Sequence, residues 1–230
     1  MKKLVVLTGA GISAESGIPT FRDADGLWEG HDVNEVATPE GWVRNPRLVL
    51  DFYNQRRKKA LEVKPNRGHD ILAELQSDFD VTVVTQNVDN LHEQAGSHHV
   101  IHLHGSLFES RSCDYPELIY PIKGWELRWG DVCERGSQLR PNIVWFGELV
   151  PMIEVAAKIC TKADVFLVVG TIMMVYPAAS LIDYVPHETP KYVIDPKVPQ
   201  LGFIPYLTSI EEKGSVGLAK IKQALIDLSK

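Results

Sequence analysis

Lys3-Leu4-Val5-Val6-Leu7-Thr8-Gly9-Ala10-Gly11-Ile12-Ser13-Ala14 runs an apolar segment straight into a glycine turn. The apolar part ends at Thr8-Gly9, too early for the hydrophobic region of a secretory leader, so it reads as a buried first strand. The turn has the pattern G-x-G-x-x-A. On that reading Gly9 permits the tight turn and Gly11 lets backbone approach a pyrophosphate. Ala14 then keeps the following helix close to the sheet, with Ala10, Ile12 and Ser13 at the helix entrance. Behind a strand, this pattern points to a dinucleotide; the alternative is a plain strand-to-helix turn.

Four more apolar runs without alternation fit parallel strands covered on both faces: Val81 to Thr85, Val100 to Leu103, Val165 to Val169 and Tyr192 to Ile194. Helical patterns lie between them, over Pro46 to Val63, Gly68 to Leu75, Val155 to Cys160 and Gly214 to Leu228. The alternation predicts an α/β fold, a Rossmann-like open parallel sheet with helices on both faces. Two stretches break the rhythm, Gly26 to Arg67 and Leu107 to Asn142, and are expected to form a smaller module over the carboxyl edge of the sheet. The expected division is a large lobe of about 1–25, 68–106 and 143–230, and a small module of about 26–67 and 107–142. An acid at the end of a second strand, the usual ribose ligand, has no clear counterpart. Asp195, ending the Tyr192 to Ile194 run, serves either a ribose or a turn.

The 230 residues suffice for one well-cored domain, and 44% hydrophobic with 23% charged residues is ordinary for a globular protein. A net charge of −6 argues against a general nucleic-acid binder. No apolar stretch approaches a membrane span. Cys113, Cys133 and Cys160 are three in number with no close pair, which speaks against a disulfide framework and for the cytoplasm.

Gly17-Ile18-Pro19-Thr20-Phe21-Arg22, Thr85-Gln86-Asn87-Val88-Asp89-Asn90-Leu91-His92, His102-Leu103-His104-Gly105-Ser106, Val144-Trp145-Phe146-Gly147-Glu148 and Val169-Gly170-Thr171 follow in this order. In order and spacing they resemble the sirtuin family of NAD-dependent protein deacylases, over nearly the whole chain. The resemblance implies that NAD is a co-substrate and that acyl-lysine proteins are the partners. Acetyl, and also succinyl or malonyl, would leave lysine as nicotinamide and O-acyl-ADP-ribose are released. His104 matches the catalytic histidine, a group suited to near-neutral proton transfer. Gln86, Asn87 and Asp89 would hold ribose and nicotinamide, Phe21 and Arg22 a loop that closes over NAD, and Gly170 and Thr171 the phosphates. Val144, Trp145, Phe146 and Gly147 would lay an edge strand for the substrate peptide.

Bland readings stand beside these: a structural His104, an Asx turn at Asn87 and Asp89, and core roles for Trp145 and Phe146. His92, His98, His99 and His102 do not have metal-ligand spacing and read as structural or solvent-facing. Tyr53 and Arg56 sit at i, i+3 and resemble the sirtuin branch that prefers anionic acyl groups, a guanidinium and a phenol gripping one carboxylate. Ala24 would leave room for the longer chain. The competing reading is a solvated basic face, because Arg57, Lys58 and Lys59 follow.

The sequence also departs from the family. Most relatives carry four cysteines in two close pairs around a structural zinc. Here Cys113 and Cys133 have nineteen residues between them and no near partners, so no metal is expected. Trp125, Leu127 and Trp129 are then expected to hold the small module. Ile172 stands where the family usually has serine, and Asp195 where it has asparagine. Rival readings are a hydride-transferring dehydrogenase, transfer of ADP-ribose to protein, and a non-catalytic NAD sensor. Acyl-peptide-dependent nicotinamide release excludes the dehydrogenase, label from NAD on a polypeptide would mark ADP-ribosyl transfer, and NAD binding without turnover would mark the sensor.

Overall fold

In the computed structural model, which describes residues 1–19, 27–28, 30–171, 176–198 and 202–230, β1 (Lys3–Thr8) lies inside a six-stranded sheet. Its neighbours are β4 (Asp80–Thr85) and β9 (Val165–Val169). Outside these lie β5 (Val100–His102) on one side and β10 (Lys191–Ile194) then β11 (Leu207–Ile210) on the other, and every pairing is parallel. Alternate residues of β1 enter opposite cores. Val5 and Leu7 join Val84, Phe166, Val168 and Val193 under α7 (Ile153–Cys160) and the 3-10 helix Ala178–Tyr184. Leu4 and Val6 join Val83, Leu167 and Val169 under α5 (Arg67–Glu74) and α8 (Gly214–Ser229). Burial on both faces is why the strands show no alternation in sequence. Cys160 sits fully buried in the first of these cores.

The register aligns the strand ends. His102, Thr85, Thr8, Val169 and Ile194 pair in one row across the sheet. The next residues along β4, β1, β9 and β10 are Gln86, Gly9, Gly170 and Asp195, so motifs up to 186 residues apart share one carboxyl edge. β1 is followed by strands on one side and, later in the chain, by strands on the other. That switch point is where open α/β sheets bind ligands.

Beyond His104 the chain leaves the sheet through Gly105. Its φ is +80°, and a Cβ there would lie 1.9 Å from the Asn142 carbonyl oxygen. Only glycine fits. It opens β6 (Gly105–Ser112), which pairs antiparallel with β7 (Ile119–Pro121) and β8 (Leu139–Ile143). A third core joins Val36, Val49, Phe52, Tyr53 and Ala60 to Leu107, Ile143 and Trp145. It thus unites α2 (Val33–Val36), α3 (Pro39–Arg44) and α4 (Pro46–Ala60) with the small sheet.

The small sheet was not expected, and neither were β11 and the hairpin of β2 (Leu27–Trp28) with β3 (His31–Asp32). The expectation about what holds this region also needs correction. Leu127 is buried, but Trp125 and Trp129 are 37% and 48% exposed. Side chains of α4 do the holding. Asn54 donates to Leu127 O and accepts from Leu127 N, both at 2.9 Å. Fully buried Arg57 donates to Leu107 O, to Trp125 O and to Asn54 Oδ1. Arg57 is therefore no part of a solvated face.

Candidate active site

The turn after β1 is built around a close approach. Gly9 N–H donates to Val169 O at 3.0 Å and Gly11 N–H to Gly170 O at 2.8 Å. A Cβ on Gly11 would lie 2.7 Å from Gly170 Cα, and one on Gly170, whose φ is +67°, 2.3 Å from Ile12 N. The two glycines lock the β1 and β9 turns together. Gly9 itself has extended backbone, and its small size matters because a Cβ would meet Thr171 Cβ at 2.6 Å. The role assigned to Ala14 is corrected: it is exposed, and buried Ile12 packs α1 (Ala10–Ala14) against the sheet side.

Past β4, Asn87 turns inward. Its side-chain amide donates to Gly9 O at 3.1 Å and to Ser13 Oγ at 2.9 Å. Asp89 caps Leu91 N–H at 3.1 Å, and burial raises the pKa of its carboxyl. The Asx-turn reading of Asp89 thus holds together with its place beside the cavity. Gln86 donates to Thr171 Oγ1 at 3.2 Å. Asp195 is buried, and its Oδ1 accepts from Lys197 N–H at 2.9 Å, the turn geometry weighed for it.

His104 Nδ1 lies 3.0 Å from Gln86 O. A carbonyl only accepts, so Nδ1 carries the hydrogen and the neutral ring leaves Nε2 with a lone pair. Burial, partly offset by that carbonyl, lowers the imidazole pKa and keeps the ring neutral near pH 7. His102 behaves differently. It bridges Asn87 O at 2.9 Å and the Glu93 carboxylate at 2.7 Å. Its pKa is raised, Glu93 and Asn87 O outweighing burial. His92 is buried, 2.9 Å from Thr8 Oγ1. His92 and His102 are thus both engaged by neighbouring groups of the protein.

A cavity of about 260 Å³ gathers these groups. Its walls include Ala10, Ser13, Gln86, Asn87, Asp89 and His104 from the sheet edge, Tyr53 and Arg56 from α4, and Val144, Trp145, Phe146 and Gly147 after β8. Gly9, Gly11, Ile12, Gly170, Thr171 and Asp195 lie along the same edge but outside these walls. Phe21, Arg22, Ala24 and Ile172 fall outside the described residues.

Arg56 is 7% exposed, its guanidinium 4.3 Å from the Trp28 ring centroid, so it too is no solvated basic residue. Tyr53 is fully buried, and its oxygen accepts from Trp145 Nε1 at 3.1 Å. The expected edge strand at Val144 to Glu148 is a correction. Val144 and Phe146 N–H groups already donate to His104 O and Ala37 O, Glu148 N–H donates to Trp145 O, and the segment is a turn. Glu148, expected only as the end of that edge strand and given no role of its own, is a wall residue whose carboxylate takes bonds from Arg111 and Arg140. Its only sequence signal was the end of the Trp-Phe-Gly-Glu motif.

Cys113 is exposed and Cys133 buried, its thiol directed to Ser112 Oγ at 3.5 Å. Among the described residues no three His, Cys, Asp or Glu side chains come together as metal donors. Two thiolates are half of the ligands that a tetrahedral structural zinc takes.

The chain is similar to several known proteins. An NAD-dependent protein deacylase of Bacteroides thetaiotaomicron is 54% identical over 98% of this chain and 99% of its own length. The crystal structure of a Sir2 homolog–NAD complex matches with a TM-score of 0.88 at 36% identity, covering 100% of this chain and 91% of that one. A Sir2 protein bound to acetylated peptide matches at 0.77 and 27% identity, covering 96% and 92%. The Sir2 family model itself spans residues 9–177, from the glycine turn through the cavity wall, and the chain belongs to the Sir2 family.

Proposed function

We propose that this protein is an NAD-dependent protein-lysine deacylase, with NAD as co-substrate and acyl-lysine side chains of other proteins as substrates. The carrying observation is His104, held by Gln86 O with its Nε2 lone pair available, in one cavity with Asn87, Asp89, Tyr53 and Arg56. The residues present fit NAD: an acceptor base, amide and carboxylate groups, and a switch-point crevice with the Gly11–Gly170 turn beside it. NAD would supply the electrophilic ribose carbon, which the acyl oxygen would attack as nicotinamide leaves. His104 Nε2 would take a proton from a ribose hydroxyl, so that this oxygen captures the acyl carbon; one water would then add there, lysine departing as the amine and O-acyl-ADP-ribose remaining. Gln86, Asn87 and Asp89 would position the ribose and nicotinamide, the apolar walls keeping water out until the acyl carbon is captured. Gly9, Ala10, Gly11, Ile12, Ser13, Phe21, Arg22, Gly170, Thr171 and Asp195 complete the nucleotide side in this reading.

The acyl group extends to succinyl and malonyl. Support comes from Arg56, placed by α4 at the cavity beside the Tyr53 hydroxyl, a cation and a donor for one carboxylate. The protein works without zinc, a reading supported by the bonding of Cys133 to Ser112 and by the polar contacts of Asn54 and Arg57 that tie the small module. Three free cysteines favour the cytoplasm. No helix among the described residues is long and apolar enough to cross a membrane.

The test is nicotinamide release from NAD with matched acetyl-lysine and succinyl-lysine peptides, followed by mass spectrometry of the peptides. Peptide-dependent release, lost in a folded His104→Ala variant, is expected. Label transferred from NAD to a polypeptide, or NAD binding without turnover, would overturn the reading.

A further inference from the structure

The turn that replaces the expected edge strand is held from behind by charge. Glu148 Oε2 accepts from Trp145 N–H at 2.8 Å and from Arg140 at 2.9 Å, while Arg111 reaches both carboxylate oxygens at 3.0 and 3.2 Å. Arg111 comes from β6 and Arg140 from β8, so the carboxylate pins the turn to the small sheet. The Arg140 guanidinium also lies 3.5 Å from the centroid of the Trp145 ring and donates to Ile143 O. The indole is thus fixed at its backbone and on one face, and its Nε1–H is aimed at Tyr53 Oη.

That hydrogen bond is the one the Tyr53 hydroxyl makes among the described residues. Burial raises the phenol pKa, so the group stays protonated. With a lone pair of its oxygen engaged by Trp145, the hydroxyl's own hydrogen is available to an acceptor in the cavity that Tyr53 lines.

We infer that Glu148 and Trp145 are positioning residues for the acyl end of the substrate: the ion-paired carboxylate fixes the indole, and the indole N–H orients the Tyr53 hydroxyl to donate to a carboxylate-bearing acyl chain beside Arg56. The inference rests on the deacylase reading and adds residues that act through Tyr53 rather than touching the acyl carboxylate.

The experiment measures kcat and KM for matched succinyl-lysine and acetyl-lysine peptides in the full-length protein, with Trp145→Phe, Tyr53→Phe, the double variant and Glu148→Gln. Trp145→Phe keeps an aromatic ring and deletes the N–H. It should lower the succinyl-to-acetyl ratio of kcat/KM about 5-fold, the effect of one neutral hydrogen bond, and mainly through KM. In the Tyr53→Phe background the same change should leave the ratio where Tyr53→Phe put it. Glu148→Gln should move the ratio in the same direction. Equal loss on both peptides, or additive effects in the double variant, would overturn the inference and leave a purely structural turn. Wild-type turnover of acetyl peptide alone would overturn it while the deacylase reading stands. Absence of peptide-dependent nicotinamide release would remove both.

Discussion

Acidification should loosen this protein through a histidine that never meets substrate. His69, third residue of α5, is fully buried; its Nδ1 accepts Asn66 N–H at 3.3 Å and completes a capping box. Its ring meets that of His92 edge-on, with centroids 4.9 Å apart. Burial lowers the His69 pKa to about 4, and that of His92 well below the ordinary value. In the unfolded chain the imidazole titrates near ~6.5. Between those values the unfolded chain binds a proton that the folded one refuses, so stability is fully present above the unfolded pKa and is lost as pH falls. Over the full window the loss is about 3 kcal/mol for His69 alone, and about 2 kcal/mol of it falls between about pH 7 and about pH 5. His69→Gln is the sharp perturbation, because glutamine at this position keeps the cap acceptor and does not titrate. Urea unfolding of both proteins across that range should show the wild type losing about 2 kcal/mol more than the variant. Parallel pH dependence in the two would refute the reasoning. The consequence reaches the site, since His92 bonds Thr8, Thr8 donates to Thr85 Oγ1, and Thr85 Oγ1 accepts Asn87 N–H.

Arg57→Met should cost about 3 kcal/mol in chemical denaturation, because the Leu107 and Trp125 carbonyls lose their donor; a change below about 1 kcal/mol would contradict the strut role. Gly11→Ala should destabilise by about 1–3 kcal/mol and lower NAD-dependent turnover, since the new methyl meets Gly170 backbone; wild-type values for both would contradict the interlock. The kcat/KM for acyl peptide should fall on the acid side with an apparent pKa below the ordinary histidine value, because neutral His104 is the base and burial lowers its pKa. An acid limb above that value would refute the assignment. Thermal melting should be insensitive to a zinc chelator, and a lowered midpoint would show that Cys113 and Cys133 hold a metal after all.

Much of the fold was legible because burial leaves a pattern. Uninterrupted Val, Ile and Leu runs marked five of the six parallel strands, and the fifteen residues of α4 were visible from Pro46 onward. Leu207-Thr208-Ser209-Ile210 escaped because an edge strand needs little apolar content, and its burial is only partial. Leu139-Arg140-Pro141-Asn142-Ile143 read as loop since proline and arginine argue against a strand, yet β8 is an edge strand that pairs, among the described residues, with β6 alone and tolerates both. The buried serines of β6 hid its alternation in the same way.

For the site, the sequence by itself determined which groups stand at the sheet's carboxyl edge. A strand that runs into Gly9, into Gln86-Asn87 or toward His104 must deliver those residues there, because strand direction and side-chain identity are local properties. Only the tertiary structure decided what each then touches. Gly11 faces Gly170 and not open space, Arg57 is a buried strut while Lys58 beside it is exposed, and Glu148 fixes Trp145, which bonds Tyr53 across 92 residues. Periodicity records whether a residue is buried on its own element. It carries no term for the partner, which comes from packing between elements distant in the chain.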